Sequence, residues 1–307
     1  MPSPIKAQPQ PLPSQFFPYG TTQCLPAPSP QLIEQSTQKN ATCAAYAPAY
    51  GAPRARVGLV TAHFGPVQQH YQRALESHLM HSLIHGTQVH VLCDTLVDDL
   101  WNKHAFILDM LMREILKPAD ERLEWVMWAD RDTLILDQCR PLSSFLPPVD
   151  TNRNIVVTTD WNGLNNGIFF LRVNKWAIDL FTATLAYRYY RPEVFLRFTE
   201  QSAMQNVLTE ATFAGGVQWV PQHWFNAYDM SGAYAFANRT AVADLHPLLV
   251  RRGDFLLHFA GQPNKNESIN EWMDMLEVME NVWEAGSAQR NLTEEVTAFW
   301  KALGLRW

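Results

Sequence analysis

The chain has 307 residues, 47% of them hydrophobic and 18% charged, with a formal net charge of −6 and a pI near 5.9. This composition suits a globular protein of one large or two small domains with a substantial core. The acidic balance argues against a nucleic-acid binder, which needs a basic face, and no run of about 18 apolar residues is present to span a membrane.

Residues 1–53 are rich in Pro, Gln and Ser and close on Gly51-Ala52-Pro53. They read as a disordered stem ahead of a folded domain at 54–307, with neither a charged-then-apolar leader nor an anchor segment in evidence. Of the four cysteines, no two form a Cys-x-x-Cys pair, so a zinc site is not expected. Cys24 and Cys43 are candidates for a disulfide in an oxidising lumen, while Cys93 ends an apolar run and reads as a buried thiol. Asn-x-Ser/Thr sequons at Asn40, Asn238, Asn266 and Asn291 lean toward a secretory compartment.

Val57–Ala62 predicts the first strand, followed by the Gly-bearing loop His63-Phe64-Gly65-Pro66. Thr61, near the strand end, is a candidate donor contact, although no Gly-x-Gly-x-x-Gly fingerprint is present. A helix over Val67–Ile84 should end at His85-Gly86. His78, His81 and His85 share one of its faces, which reads as solvated because no carboxylate joins them at ligand spacing. A strand at Val89–Cys93 precedes a helix opened by Trp101-Asn102-Lys103. A lysine at a helix start opposes the helix dipole unless it reaches an anion such as a diphosphate.

The most informative stretch runs from Leu123 to Leu136. Trp125-Val126-Met127-Trp128-Ala129 is continuously apolar, as expected of a strand covered on both faces. It delivers Asp130 and Asp132 to its carboxyl end, where ligands of open α/β sheets gather. Carboxylates two apart on extended chain point the same way and repel unless a cation lies between them. A hard divalent ion with open positions for phosphate oxygens fits that demand.

Ile155–Asp160 and Ile168–Arg172 read as strands around a polar turn cluster, Trp161–Gly167. Trp176–Tyr190 and Glu200–Glu210 read as helices, the second capped at or near Thr199. Gly215–Val220 and Phe255–Gly261 read as late strands, and 269–304 as terminal helices.

Taken in order, these pieces resemble glycosyltransferase family 34, which contains fungal Golgi α-galactosyl- and α-mannosyltransferases and plant xyloglucan xylosyltransferases. The matching motifs run from about Arg56 to Gly261. They are Trp101-Asn102-Lys103, Trp125 to Asp132, Gly163-Leu164-Asn165-Asn166-Gly167 through Arg172 with Trp176 and Asp179, Glu200-Gln201-Ser202-Ala203, and His258-Phe259-Ala260-Gly261. The resemblance implies an α/β GT-A fold, a Rossmann-like mixed sheet flanked by helices. It also implies a nucleotide-sugar donor (UDP- or GDP-sugar), Mn²⁺, retention of anomeric configuration, and residence in the Golgi lumen. By position, Asp130, Asp132 and His258 would hold the metal. Thr61, Lys103, Asp130, Asp160, Asn165, Gly167, Gly261 and Lys265 would bind the donor. Glu200 and Gln201 would be the catalytic pair, Gln201 steadying the reacting carbon through its amide oxygen.

The chain departs from the family at Ala129, where Leu is more usual, at Arg131 between the aspartates, and at Gln262-Pro263 after the late motif, with Lys265 as the replacement cation. The expected activity is transfer of a hexose, galactose or mannose, to a glycan acceptor on a glycoprotein or polysaccharide with an α-linkage. Homo- or hetero-oligomers with related transferases are compatible with it. Two alternatives are a glycogenin-like GT-A transferase of another family and a non-catalytic subunit that keeps the fold.

Overall fold

The computed structural model describes residues 15–45, 55–149, 151–240, 245–279 and 288–304. Strand β1 (Phe16–Tyr19) and helix α1 (Pro30–Cys43) come first, then β2 (Val57–Ala62), α2 (Gln69–His85), β3 (Val89–Leu92) and α3 (Asn102–Ile115). The centre of the chain gives β4 (Trp125–Ala129), β5 (Thr133–Ile135), β6 (Ile155–Asp160) and β7 (Gly163–Arg172), followed by helices α4 (Lys175–Tyr190) and α5 (Thr199–Leu208) and the single turn α6 (Ala211–Ala214). Then come β8 (Val217–Trp219), β9 (Ala227–Tyr228), α7 (Ala233–Asn238), β10 (Leu256–His258), α8 (Lys265–Val278) and α9 (Leu292–Ala302).

Seven strands form one mixed sheet in the order β1-β3-β2-β4-β7-β6-β8. The β1, β3, β2 and β4 side is parallel, and β7 joins it antiparallel to both β4 and β6. β4 lies near the middle and is buried throughout. Its residues alternate between two cores. Trp125, Met127 and Ala129 pack with one hydrophobic cluster, and Val126 and Trp128 with the other. This is why its sequence reads as unbroken apolar character rather than as an alternation.

The single stretch expected over Leu123–Leu136 divides after Ala129. β5 leaves the main sheet and enters a three-stranded one, ordered β5-β10-β9, in which β10 is antiparallel to β5 and parallel to β9. The small sheet covers a third core that includes Leu134, Phe236, Leu257, Phe259 and Trp272.

The expectation of a disordered stem fails for residues 16–43. Phe16–Tyr19 pairs in parallel with Val89–Leu92 at the sheet edge, and α1 carries a Ser29 cap whose hydroxyl accepts from the Leu32 N–H. Both are pinned by cross-links, Cys24 to Cys93 and Cys43 to Cys139. These pairings replace the expected Cys24–Cys43 bridge and the expected free thiol at Cys93. Closing loops of 69 and 96 residues constrains the unfolded chain by roughly 4 kcal/mol each in the chain-entropy account. The rest of the stem, 1–14 and 46–53, lies outside the described residues.

The α2 histidines are not solvated. His78 and His81 are buried and His85 is half-buried, and their Nε2 atoms lie 2.9–3.1 Å from the backbone oxygens of Thr133, Arg140 and Gln138. Polar residues on one helix face look solvent-facing in sequence, but here that face packs on the β5 segment and each ring meets a carbonyl. Gly86 ends α2 in the left-handed conformation (φ 67°), as a helix C-terminus at His85-Gly86 requires.

Candidate active site

The carboxyl end of β4 opens into a cleft of about 820 Å³, within the range of small-molecule sites. Sheet register brings its walls together. Ala129 pairs with Ile168, and the Asp130 N–H donates to the Gly167 carbonyl at 2.8 Å, so the β7 turn cluster sits against the Asp-x-Asp loop. On the other side His258 of β10 pairs with both Thr133 of β5 and Tyr228 of β9. The Phe259 N–H donates to the Asp132 carbonyl at 3.0 Å. Residues spread over a hundred positions thus become neighbours through two sheets.

Asp130, Asp132 and His258 each offer a ligand atom, and all three atoms lie within 4.8 Å of one another. The donor set, two carboxylates and an imidazole, fits a divalent cation such as Mn²⁺. The two carboxylates also draw the cations of the chain. Lys265 Nζ lies 2.6 Å from Asp132 Oδ2, and Lys103 Nζ lies 3.0 Å from Asp130 Oδ1. Burial by itself would raise the Asp132 carboxyl, but His258 and Lys265 overcome it and hold the group far below the usual carboxylate range. Asp130 is further steadied by the Trp128 indole N–H at 2.7 Å.

Lys103 is buried at the start of α3, where the dipole gives no reason for a cation. Its partners supply one: besides Asp130 it reaches Glu200 Oε1 at 3.5 Å and the backbone and side-chain oxygens of Asn166 at 3.1 Å. Burial works against the charged lysine, yet Asp130 and Glu200 outweigh it and raise its pKa. Glu200 is 2% exposed and has its pKa raised, first by burial and then, against Lys103, by Asp130. Its Oε2 has no hydrogen-bond partner among the described residues, which leaves one buried carboxylate oxygen at the cleft wall.

Gln201 also lines the cleft, but its amide oxygen accepts from the Asn166 backbone N–H at 3.1 Å. Since that N–H can only donate, the oxygen is the end of the amide engaged with β7. Thr199 does not cap α5. It is the first helical residue, and it holds φ 49°, a left-handed conformation that costs a non-glycine residue roughly 1–3 kcal/mol and is commonest at functional sites.

Asp160 and Asn165 meet in the cleft, with Asn165 Nδ2 donating to Asp160 Oδ2 at 3.0 Å and the Tyr228 hydroxyl donating to the same oxygen at 2.6 Å. Gly167 has to be glycine, because a Cβ there would lie 2.3 Å from His258 Cε1. Gly261 and Lys265, expected at the donor, line the cleft. Thr61 does not. It is buried in β2 and the cleft is reached instead by Ala62 and Phe64, since neighbouring strand residues face opposite ways.

Sequence reasoning missed several lining groups. Asn166 stood inside a motif already noticed, and Trp128 was counted only as core. Arg131 stacks over Tyr71 at 4.3 Å, and Trp161 stands 64% exposed on the hairpin tip, edge-on to Tyr228 at 5.4 Å. Tyr228 and Asn226 carry no local signal, because only the small sheet brings them to His258.

Comparison with known proteins agrees with this geometry. Two plant relatives, xyloglucan 6-xylosyltransferases 2 and 4 of Arabidopsis thaliana, are each 26% identical over 125 and 131 residues, 38% of this chain. The chain spans about a quarter of their length, 26% and 24%. Among solved structures, a glycosyltransferase involved in the glycosylation of the major capsid of PBCV-1 superposes with a TM-score of 0.52 at 16% identity, covering 71% of this chain and 98% of that one. That likeness identifies the architecture as the GT-A fold of glycosyltransferases. The profile of the galactosyl transferase GMA12/MNN10 family matches residues 103–268, more than half of the chain and the whole span from Lys103 to His258 and Lys265. A profile match over more than half of the chain, taking in Lys103, Asp130, Asp132, Glu200, His258 and Lys265 of the cleft, places this chain in the galactosyl transferase GMA12/MNN10 family.

Proposed function

We propose that the chain is a retaining, metal-dependent glycosyltransferase that moves a hexose, galactose or mannose, from a UDP- or GDP-sugar to a glycan acceptor with an α-linkage. The observation that carries this reading is the meeting of Asp130, Asp132 and His258 in one cleft with two lysines beside them. Two carboxylates, an imidazole and two ammonium groups make a site that neutralises a diphosphate. When bound, Mn²⁺ on Asp130, Asp132 and His258 would supply Lewis-acid stabilisation of the leaving diphosphate, worth several kcal/mol.

The chain's own groups do the rest in this reading. Lys103 and Lys265 exchange their carboxylate partners for phosphate oxygens and so hold the leaving group. Asp160 and Asn165, tied to each other and to Tyr228, present a rigid polar face to sugar hydroxyls. Glu200 places a buried carboxylate beside the reacting centre, and Gln201 is left with its amide N–H groups for the sugar or acceptor. The exposed Trp161 at the rim offers an apolar face on which an acceptor sugar ring stacks.

Residence in the lumen of the secretory pathway, with the Golgi as its site, is part of the same reading. It is supported by the two disulfides and by exposure of all four sequon asparagines, Asn40, Asn238, Asn266 and Asn291.

The test is thermal stability with Mn²⁺ and a panel of UDP- and GDP-sugars, UDP-xylose included because of the plant relatives, followed by assay of donor hydrolysis. A ligand that binds only the native state raises its stability. A rise that needs both Mn²⁺ and one nucleotide class, with slow hydrolysis of that donor, is the expected result. A rise without turnover would favour a non-catalytic relative, and no rise with any nucleotide would refute the reading.

A further inference from the structure

A single chain of hydrogen bonds determines which ring nitrogen of His258 faces the carboxylates. It begins at a group whose polarity cannot vary, the Gly167 backbone N–H, which donates to Asn165 Oδ1 at 3.0 Å. The orientation of Asn165 is thereby set, and its Nδ2 turns to Asp160 Oδ2 and the Tyr228 hydroxyl. Asn165 Oδ1 also accepts from Asn226 Nδ2 at 3.0 Å, and the same amide nitrogen donates to the Thr158 hydroxyl oxygen at 3.0 Å. Flipping Asn226 would set its oxygen against the Asn165 oxygen, so Asn226 Oδ1 must point the other way. It lies 2.9 Å from His258 Nδ1. An amide oxygen only accepts, and therefore Nδ1 carries a proton. The remaining nitrogen, Nε2, faces Asp132 Oδ1 at 3.6 Å.

We propose that Asn226 is a positioning residue that excludes the Nε2–H tautomer of neutral His258, so that the ring presents a bare Nε2 lone pair to a cation shared with Asp130 and Asp132. Asn226 is fully buried and does not itself line the cleft; it acts on it only through Asn165 and His258, which do. Metal-bound histidines in general have the second nitrogen held by an acceptor that fixes tautomer and ring plane, and loss of that acceptor commonly lowers metal affinity about 10–100-fold. The proposal rests on reading Asp130, Asp132 and His258 as metal ligands, but its first part concerns the ring alone.

Long-range ¹H–¹⁵N correlation of the intact metal-free protein at mildly alkaline pH, with His258 assigned by its absence in His258→Gln, reads the tautomer without any variant at position 226. A protonated Nδ1 with an unprotonated Nε2 is expected, and an Nε2–H tautomer would overturn the proposal. Mn²⁺ affinity, followed by the paramagnetic signal of the free ion, then separates positioning from packing. Asn226→Ala removes the acceptor and should weaken Mn²⁺ binding about 10–100-fold. Asn226→Asp keeps an acceptor for Nδ1 while losing the amide donor to Asn165 and Thr158. It should unfold at lower temperature yet bind Mn²⁺ at least about 5-fold more tightly than Asn226→Ala. Equal losses in the two variants would reduce Asn226 to a packing residue and overturn its positioning role. Absence of Mn²⁺ binding in the unmodified protein, with the expected tautomer present, would refute the metal reading of the proposed function and leave the tautomer assignment standing.

Discussion

On α2, His78, His81 and His85 direct Nε2 at backbone carbonyls of the 133–140 stretch, whereas His258 on β10 directs Nε2 at a carboxylate and secures itself through Nδ1. A carbonyl acceptor demands Nε2–H and uses up the nitrogen that extends furthest from the backbone. The α2 rings are therefore pins between a helix and the segment that leads to Cys139. An amide acceptor on Nδ1 does the reverse and leaves the outer nitrogen for a ligand. Burial depth does not separate the two groups, since His78 is 4% exposed and His258 5%. What separates them is the chemistry of the atom each ring nitrogen meets.

The sharpest way to break this comparison is at the carboxylate that His258 faces. Asp132→Ala should lower transfer by about 10³-fold or more, the equivalent of roughly 4 kcal/mol of lost stabilisation, while circular dichroism still reports a folded protein. Full activity at an unchanged melting temperature would remove the central role given to this group.

Exchanging the two kinds of histidine comes next. His81→Ala should destabilise the fold by roughly 2–4 kcal/mol in urea unfolding, through a cavity and the loss of the hydrogen bond to the Arg140 carbonyl, with turnover per folded molecule nearly unchanged. His258→Ala should instead lower turnover by about 100-fold and cost less stability than His81→Ala. If both variants lose activity in proportion to folded fraction, the distinction between pin and ligand collapses.

Acid sharpens the same contrast. Burial holds His78 down to about 4, and burial, with a smaller effect of Lys117, holds His90 down to about 3. Unfolded, both rings take protons near 6.5. The stability tied to these neutral rings is present above about pH 6.5 and is lost as pH falls toward 4, where the unfolded chain binds more protons. His78 alone accounts for roughly 3 kcal/mol of that loss. Urea midpoints should fall steeply over this interval, and His78→Gln should flatten the slope. A midpoint independent of pH between 7 and about 4 would show that these rings are not neutral in the native state.

The smallest expected effect lies at the rim. Trp161→Ala should raise the acceptor KM by about 10-fold, or roughly 1.4 kcal/mol, and leave the donor KM unchanged. A change in donor KM alone would move Trp161 to the nucleotide side of the cleft.

Several parts of this site were legible in advance because they are local. The run Trp125–Ala129 had to be a buried strand, since only a two-sided cover explains its lack of polar residues. Two carboxylates at its end had to face one place. Lys103 stood out because it opposes a helix dipole. Other parts were not legible because proximity in sequence says nothing of them. The cysteines could be paired in several ways, and only the docking of β1 and α1 on the domain selects Cys24 with Cys93 and Cys43 with Cys139. The α2 face looked wet because polar residues share it, and it is dry because each ring found a carbonyl.

From the order of its residues alone, the chain prescribes its periodicities. These are the apolar strand, the turn that returns β7 beside β6, the helices opened by Trp101-Asn102-Lys103 and by Glu200, and the two aspartates that repel without a cation. Tertiary structure decided everything that depends on distance through space. The second sheet sets His258 beside Thr133, Tyr228 beside His258, and Asn226 behind the ring. Strand pairing across a hundred residues follows from how cores close, and hydrogen-bond polarity then propagates from the Gly167 N–H to the ring nitrogen of His258. A backbone N–H has one possible role, and the fold converts that local constraint into the orientation of a distant ligand atom.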